Sequence, residues 1–300
     1  MPLEFSLPEQ YNSSMSSDTN SYILLFQCKD QKGIVAGITE FIFRKGGNII
    51  TAEQHSTDPA NGHFFFRVEF CLAGGTADAD SLSRDFGMVA GRFAAQWHIF
   101  DSRAKMRMGI LVSRPGHCLF DLLYLWRSGD LRVDIPFVLS NHESHRPLVE
   151  QFGVPFCYIP AAVSDRREAE VLARVKGQSD FLVLARYMLT LSPDFLTSYG
   201  NDIINIHHGF LPSFKGARPY HQAYERGVKV IGATAHFVTE KLDEGPIICQ
   251  KVEGVSHKDD VESLTRKGRN IEKHALSSAV ADYAGHRVIR FGARTIVFSE

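Results

Sequence analysis

The sequence predicts an α/β protein of two domains: a small ferredoxin-like α+β domain, then a larger doubly wound domain with a mostly parallel sheet. Three observations point there. The chain has 300 residues, more than one typical domain and enough for two. Between residues 22 and 100 the pattern runs strand, helix, strand, strand, helix, strand, the split βαβ plan. After Met108, short apolar runs alternate with amphipathic stretches, which argues for parallel strands covered by helices on both faces.

Residues 1–20 are polar, rich in Ser and Asn, and are expected to form a disordered tail. Tyr22–Phe26 is strand-like. Apolar residues at 34, 35, 38, 41 and 42 give Gly33–Lys45 a helical period, and Gly46-Gly47 stops that helix. Asp30, in the turn before it, is a plausible cap. Asn48–Thr57 and His63–Leu72 are strands separated by Asp58-Pro59-Ala60-Asn61-Gly62, a strong turn signal. Phe64-Phe65-Phe66 is expected to serve the core and a dimer-facing surface. A helix within residues 78–95 and a strand at Trp97–Phe100 complete a domain spanning 21–104.

The charged join Asp101–Arg107 separates this pattern from a second domain, 105–300. Its expected strands are Met108–Ser113, Val133–Ser140, Phe156–Ile159, Phe181–Leu184 and Ile203–His207. Its expected helices are Leu119–Arg127 and Ser164–Lys176, and Val288–Phe298 reads as a hairpin added at an edge. In such sheets the ligand crevice lies at the carboxyl ends of the strands.

Composition removes several function classes. Lys plus Arg is 33 against 34 Asp plus Glu, a net charge of −1, which argues against a nucleic-acid partner. Hydrophobic residues at 44% and charged residues at 22% are ordinary for a globular chain. No apolar run reaches the roughly 18 residues of a membrane span, and the N-terminus lacks the basic start and apolar core of a signal peptide. No membrane partner is expected. Five scattered cysteines without a CxxC pair suit reduced thiols in the cytoplasm and no zinc site. His142-Glu143-Ser144-His145 lacks HExxH spacing and reads as a solvated loop, so no metal is expected.

The chemistry concentrates in Asn205-Ile206-His207-His208-Gly209-Phe210-Leu211-Pro212-Ser213-Phe214-Lys215-Gly216. Alternation along a strand turns Asn205 and His207 to one side and His208 to the other. A carboxamide can donate to an oxyanion, and an imidazole can move a proton near neutral pH. Asp243 follows in the Gly/Pro turn Leu242-Asp243-Glu244-Gly245-Pro246, a place for a functional carboxylate. His236 reads as a packed strand histidine that can act in support. His117-Cys118 reads as structural, because chain neighbours rarely face each other.

The paired motifs, with Ile247-Ile248 after the turn, resemble those of formyltetrahydrofolate-dependent formyltransferases and hydrolases over roughly residues 106–285. The resemblance implies the catalytic trio Asn205, His207 and Asp243. It also implies a folate site on Arg186–Leu191 and on the loop before Asp243, with Tyr187, Met188, Leu189, Leu191, Ile203, Thr239 and Leu242 as contacts. Gly209 and Leu189-Thr190 depart from the family's commoner Ser and Gln-Ile.

Asp30-Gln31-Lys32-Gly33-Ile34-Val35 resembles the strand-to-helix motif of ACT modules, which are amino-acid sensors. An ACT module fused to this catalytic domain is similar to the formyltetrahydrofolate deformylases, as are His117-Cys118-Leu119 and Gly232-Ala233-Thr234-Ala235-His236. The resemblance implies hydrolysis of 10-formyltetrahydrofolate to formate and tetrahydrofolate, in one-carbon and purine metabolism, with no cofactor required. It implies a homo-oligomer, dimer or tetramer, built on ACT pairing. It implies an amino-acid effector, glycine or methionine, at Asp30, Gly33, Ile34, Asn48 and Ile49. Ser113-Arg114-Pro115-Gly116-His117-Cys118-Leu119 stands where glycinamide ribonucleotide formyltransferases carry a phosphate loop. Pro115 has no N–H and one glycine makes a poor anion nest. Formyl transfer to another amine, and a folate-binding regulator without catalysis, are the competing readings.

Overall fold

A computed structural model describes residues 20–58, 61–72, 78–213 and 219–299. The expected tail at 1–20 lies outside the described residues except for Asn20, as do Phe214 to Arg218 of the motif segment. The chain divides into two compact units, Met1–Ala104 and Lys105–Glu300.

In the first unit the elements run β1 (Ser21–Lys29), α1 (Ile34–Arg44), β2 (Gly47–Ser56), β3 (His63–Leu72), α2 (Ala79–Arg92) and β4 (Gln96–Asp101). The strands form an antiparallel sheet in the order β2-β3-β1-β4. Alternate residues Tyr22, Leu24, Phe26 and Cys28 of β1 and Phe64, Phe66, Val68 and Phe70 of β3 face one core. Ile34, Ile38 and Ile42 of α1 and Leu82, Phe86 and Ala90 of α2 close that core from above. Phe65 points to the other sheet face, yet it is fully buried and offers no free dimer surface. Asp30 does not cap α1. Its carboxylate accepts from Ser56 Oγ, and Gly33 takes the N-cap position at φ 88°, a conformation glycine adopts without cost.

The second unit runs β5 (Met106–Val112), α3 (His117–Ser128), β6 (Val133–Asp134), β7 (Val138–Ser140), α4 (Arg146–Gln151), β8 (Phe156–Tyr158), α5 (Glu168–Val175) and β9 (Phe181–Leu184). It continues with α6 (Pro193–Tyr199), β10 (Ile203–His207), α7 (Pro219–Glu225), β11 (Val230–Phe237), β12 (Ile247–Gly254) and α8 (Val261–Ala284). The sheet order is β12-β11-β10-β9-β5-β7-β8. From β10 to β8 all pairings are parallel; β11 and β12 are antiparallel additions. β13 (Val288–Phe291) and β14 (Arg294–Val297) form a separate hairpin, tied to β12 where Thr295 Oγ1 donates to Ile247 O at 2.6 Å.

Helices cover both faces. Leu119, Leu122 and Leu123 of α3 and Ile271, Ala275 and Leu276 of α8 pack on Ile110, Ile204 and Ile206. On the opposite face Val171 of α5 and Phe195 of α6 pack on Leu111, Leu182 and Ile203. The chain leaves β5 toward β7 and β8, then returns to β9 and β10 on its other side. That reversal makes a topological switch point, so a crevice opens at the carboxyl ends of β5, β9 and β10.

Three further expectations are corrected. Val133–Ser140 is two strands, β6 and β7, because Pro136 has no N–H to continue the ladder. The helix expected from Ser164 begins at Glu168, after Ala162 and Asp165 pair in a turn and Arg167 takes φ 47°. The segment His142–His145 is not a solvated loop: Glu143–His145 forms one turn of 3-10 helix and brings His145 inward. That ring is buried, and its Nε2 donates to the carbonyls of Ser113 and Arg114, 3.0 Å from each.

Candidate active site

β10 carries Asn205 and His207 on the face shared with Leu111, Leu184 and Leu189, while Ile204 and Ile206 enter the opposite core. Asp243 arrives on the loop between β11 and β12. His207 Nδ1 lies 3.2 Å from Asp243 Oδ2. The loop is held tightly to β11: a Cβ added at Gly245 would stand 1.7 Å from the Phe237 carbonyl oxygen, so only glycine permits this approach. Asp243 itself adopts φ 55°, a left-handed conformation that aspartate tolerates better than most residues.

The electrostatics favour an ionised Asp243. Burial by itself would raise its carboxyl, but the His207 hydrogen bond and the neighbouring imidazoles outweigh it and hold the group below its ordinary range. His207 Nε2 is buried and has no hydrogen-bond partner among the described residues. With Nδ1 turned to the carboxylate, this second nitrogen is the one left for substrate.

A cavity of about 490 Å³ opens beside the trio. Asn205, His207 and Asp243 line it, as do Tyr187, Met188, Leu189, Leu191, Thr239 and Leu242. Leu184, Val238 and His236, not among the expected contacts, line it too. Ile203 does not reach the cavity. It sits at the amino-terminal end of β10, packed in the core with Phe195 and Tyr199 beneath the site.

One cavity wall is pinned by a hydrogen-bonded chain. Ser113 N donates to Arg186 O at 3.2 Å, and Met188 N donates to Ser113 Oγ at 3.0 Å. Ser113 Oγ donates to Asn141 Oδ1 at 2.7 Å, and Asn141 Nδ2 donates to Ala161 O at 3.1 Å. The segment expected to lack a phosphate nest thus holds this wall of the cavity in place.

Behind β10 lies a second polar group that sequence reading missed. Glu272 of α8, 1% exposed, accepts from His117 Nε2 at 2.8 Å and Tyr220 OH at 2.7 Å, with Arg186 Nε 3.4 Å away. Burial alone would raise Glu272, but His117 and Arg186 hold it ionised. His117, Cys118 and Glu272 offer ligand atoms within 4.8 Å of one another. The Arg186 cation beside the same carboxylate opposes a divalent ion there. Burial pushes the Cys118 thiol well up, which fits a packed cysteine and not a nucleophile. His208 faces this group, and burial with Arg186 lowers its imidazole to about 4.

In the first unit, Gly33 and Asp30 form the turn after β1. Ile34 is buried in the core, while Asn48 and Ile49 lie at the start of the edge strand β2, Asn48 exposed.

Comparison with known proteins agrees with these two units. Residues 106–280 match the formyl transferase family model and residues 22–76 match the ACT domain model. A formyltetrahydrofolate deformylase of Bacillus subtilis is 46% identical over 92% of this chain and 93% of its own length. One of Mycobacterium bovis is 48% identical over 92% of this chain and 90% of its own. The crystal structure of a formyltetrahydrofolate deformylase from Pseudomonas syringae superposes with a TM-score of 0.89 at 42% identity, covering 94% of this chain and 96% of that one. The chain is therefore an ACT-linked protein of the formyl transferase fold. Within that class it belongs to the formyltetrahydrofolate deformylase family.

Proposed function

We propose that the chain hydrolyses 10-formyltetrahydrofolate to formate and tetrahydrofolate. The observation that carries this reading is the convergence of Asn205, His207 and Asp243 on one rim of an otherwise largely apolar cavity. The apolar wall suits a flat pterin ring, and the polar rim suits the formyl group on N10. Water adds to the formyl carbon and the carbonyl electrons move onto oxygen. Asn205 Nδ2 and a protonated His207 Nε2 stabilise that oxyanion. Asp243 orients the water and His207. As the oxyanion collapses, the C–N bond breaks and N10 takes up the proton that water gave, with Asp243 assisting its passage. An N-formyl group on this amine is already an activated acyl donor, so the reaction as written requires no cofactor.

Water is the acceptor in this reading because the loop after β5 offers no phosphate cradle: His145 fills its inner side and binds its carbonyls. The test is incubation of the pure protein with 10-formyltetrahydrofolate alone. Formate release without an amine supports hydrolysis; release only after an amine is added supports formyl transfer, and binding without turnover supports a regulator.

The ACT unit supports a second part of the proposal. β2 and β4 each have one strand neighbour among the described residues, so both edges invite pairing. We assign it homo-oligomer formation and the binding of a small amino acid, glycine or methionine, near the turn Asp30–Ile34 and Asn48-Ile49. Unregulated hydrolysis would drain the formyl-folate pool, which gives such control a purpose. No helix among the described residues is long and apolar enough to cross a membrane. All five cysteines are free thiols, which suits a place in the cytoplasm.

A further inference from the structure

We infer that His236 is a positioning residue, which aims the Asn205 carboxamide nitrogen at the reacting formyl oxygen. The inference rests on the hydrolase reading and adds to its machinery a residue outside the trio. His236 stands directly across from Asn205 in the β10–β11 ladder. Its Nδ1 is 2.9 Å from Phe237 O. A carbonyl oxygen only accepts, so Nδ1 carries the proton. In the neutral ring Nε2 then presents a lone pair, and this atom is 3.2 Å from Asn205 Nδ2, which donates to it.

That contact selects one orientation of the carboxamide. With the amide turned over, Oδ1 would face the Nε2 lone pair, two acceptors together in a buried place. With the amide as found, one N–H is spent on His236 and the other is left for an oxyanion. His236 is 2% exposed, so its side of the contact is shielded from solvent.

Protonation would reverse the selection. An Nε2–H would attract Oδ1 and turn an acceptor toward the substrate oxygen. Asp243 Oδ1, 3.7 Å from Nε2, favours that proton, while burial and the neighbouring His207 disfavour it. Burial is the larger effect and keeps the imidazole below its ordinary value, hence neutral at pH 7.

Two measurements on the full chain test the inference. The first is the ¹⁵N spectrum of its histidine rings near pH 7, with the His236 signals assigned by their loss in His236→Gln. A protonated Nδ1 with an acceptor Nε2 is expected; the other tautomer or an imidazolium overturns the inference. The second is kinetics. His236→Phe keeps a ring but no acceptor, and kcat should fall by about 10- to 100-fold with KM little changed. His236→Gln offers an acceptor to Asn205 and a donor to Phe237 O, and should recover most of the loss. Wild-type kcat in His236→Phe, or a Gln variant no better than Phe, overturns it. Failure of the unmodified protein to release formate would overturn the hydrolase reading instead, and the ring spectrum would still decide the orientation.

Discussion

Asp243 reaches His207 at 3.2 Å from a backbone in the left-handed region, φ 55°. The carboxylate is therefore delivered by the shape of its loop as well as by its side chain. An amide in its place would keep the shape and lose the charge.

Asp243→Asn and Asn205→Ala should each lower kcat by about 10²- to 10³-fold, the usual effect of losing one such group. Folate binding should survive both, because the expected ring contacts Tyr187, Leu189 and Leu191 also line the cavity and are left intact. Single-turnover formate release and folate titration would show it. Near-normal turnover in either variant would count against the assigned roles.

Ser113→Ala should loosen the wall without touching the trio. It leaves Met188 N–H and Asn141 Oδ1 without their partner. A cost of about 1–3 kcal/mol in stability is expected. KM for 10-formyltetrahydrofolate should rise more than kcat falls. Denaturant titration beside steady-state kinetics would check both parts.

Glu272→Ala should destabilise by about 3–5 kcal/mol, since it strands Arg186, His117 and Tyr220 around an empty buried position. Thermal melting reads this directly. A variant with an unchanged melting temperature would remove the group from the account of stability.

His208 makes the fold sensitive to mild acid. Its imidazole is held at about 4 by burial and by Arg186, against an ordinary 6.5. Between those values the unfolded chain binds more protons than the folded one, so stability falls as the pH drops through that window. Glu272, His207 and Asp243 face the same ring, and the two carboxylates limit the fall. His208→Gln removes this titration and should flatten the acid loss by up to about 3 kcal/mol. Urea unfolding at pH 7 and pH 4.5 compares the two proteins.

The ACT unit should carry both assembly and control. A chain beginning at Lys105 is expected to fold, to hydrolyse its substrate, and to sediment as a smaller species indifferent to glycine and methionine. An unchanged oligomer that still answers to either amino acid would move the sensor elsewhere.

The sequence showed the parts of this site that lie close together along the chain. Asn205 and His207 share a face by strand alternation alone, and Asp243 stands out in its Gly/Pro turn. Ile203 shares that face too, but depth decides its role: it sits at the buried end of β10, out of reach of the cavity. His236 reads from the sequence as a packed strand histidine able to act in support, with no partner identified. Its partnership with Asn205 depends on the register of an antiparallel pair, which short-range pattern does not specify. Glu272 escaped for a similar reason. It reads as one more charge on a polar helix until the sheet brings His117, Arg186 and Tyr220 to it. His145 looked solvated because its neighbours are polar, and only the loop after β5 explains its burial. Pro136 carried a signal that could have been used: it marks where the expected long strand breaks.

The loop that carries Asp243 leads into β12, the last strand of its sheet, with β11 as its one strand neighbour. Edge strands open locally at lower free energy than the whole fold unfolds. Asn205 and His207 belong to β10, an interior strand flanked on both sides. Fraying of β12 would therefore withdraw the carboxylate while the carboxamide and imidazole stay in place. Catalysis is then the first property lost on gentle heating or at low denaturant, ahead of any change in global secondary structure. Backbone amides from Ile247 to Gly254 should exchange with solvent deuterium in step with that early loss.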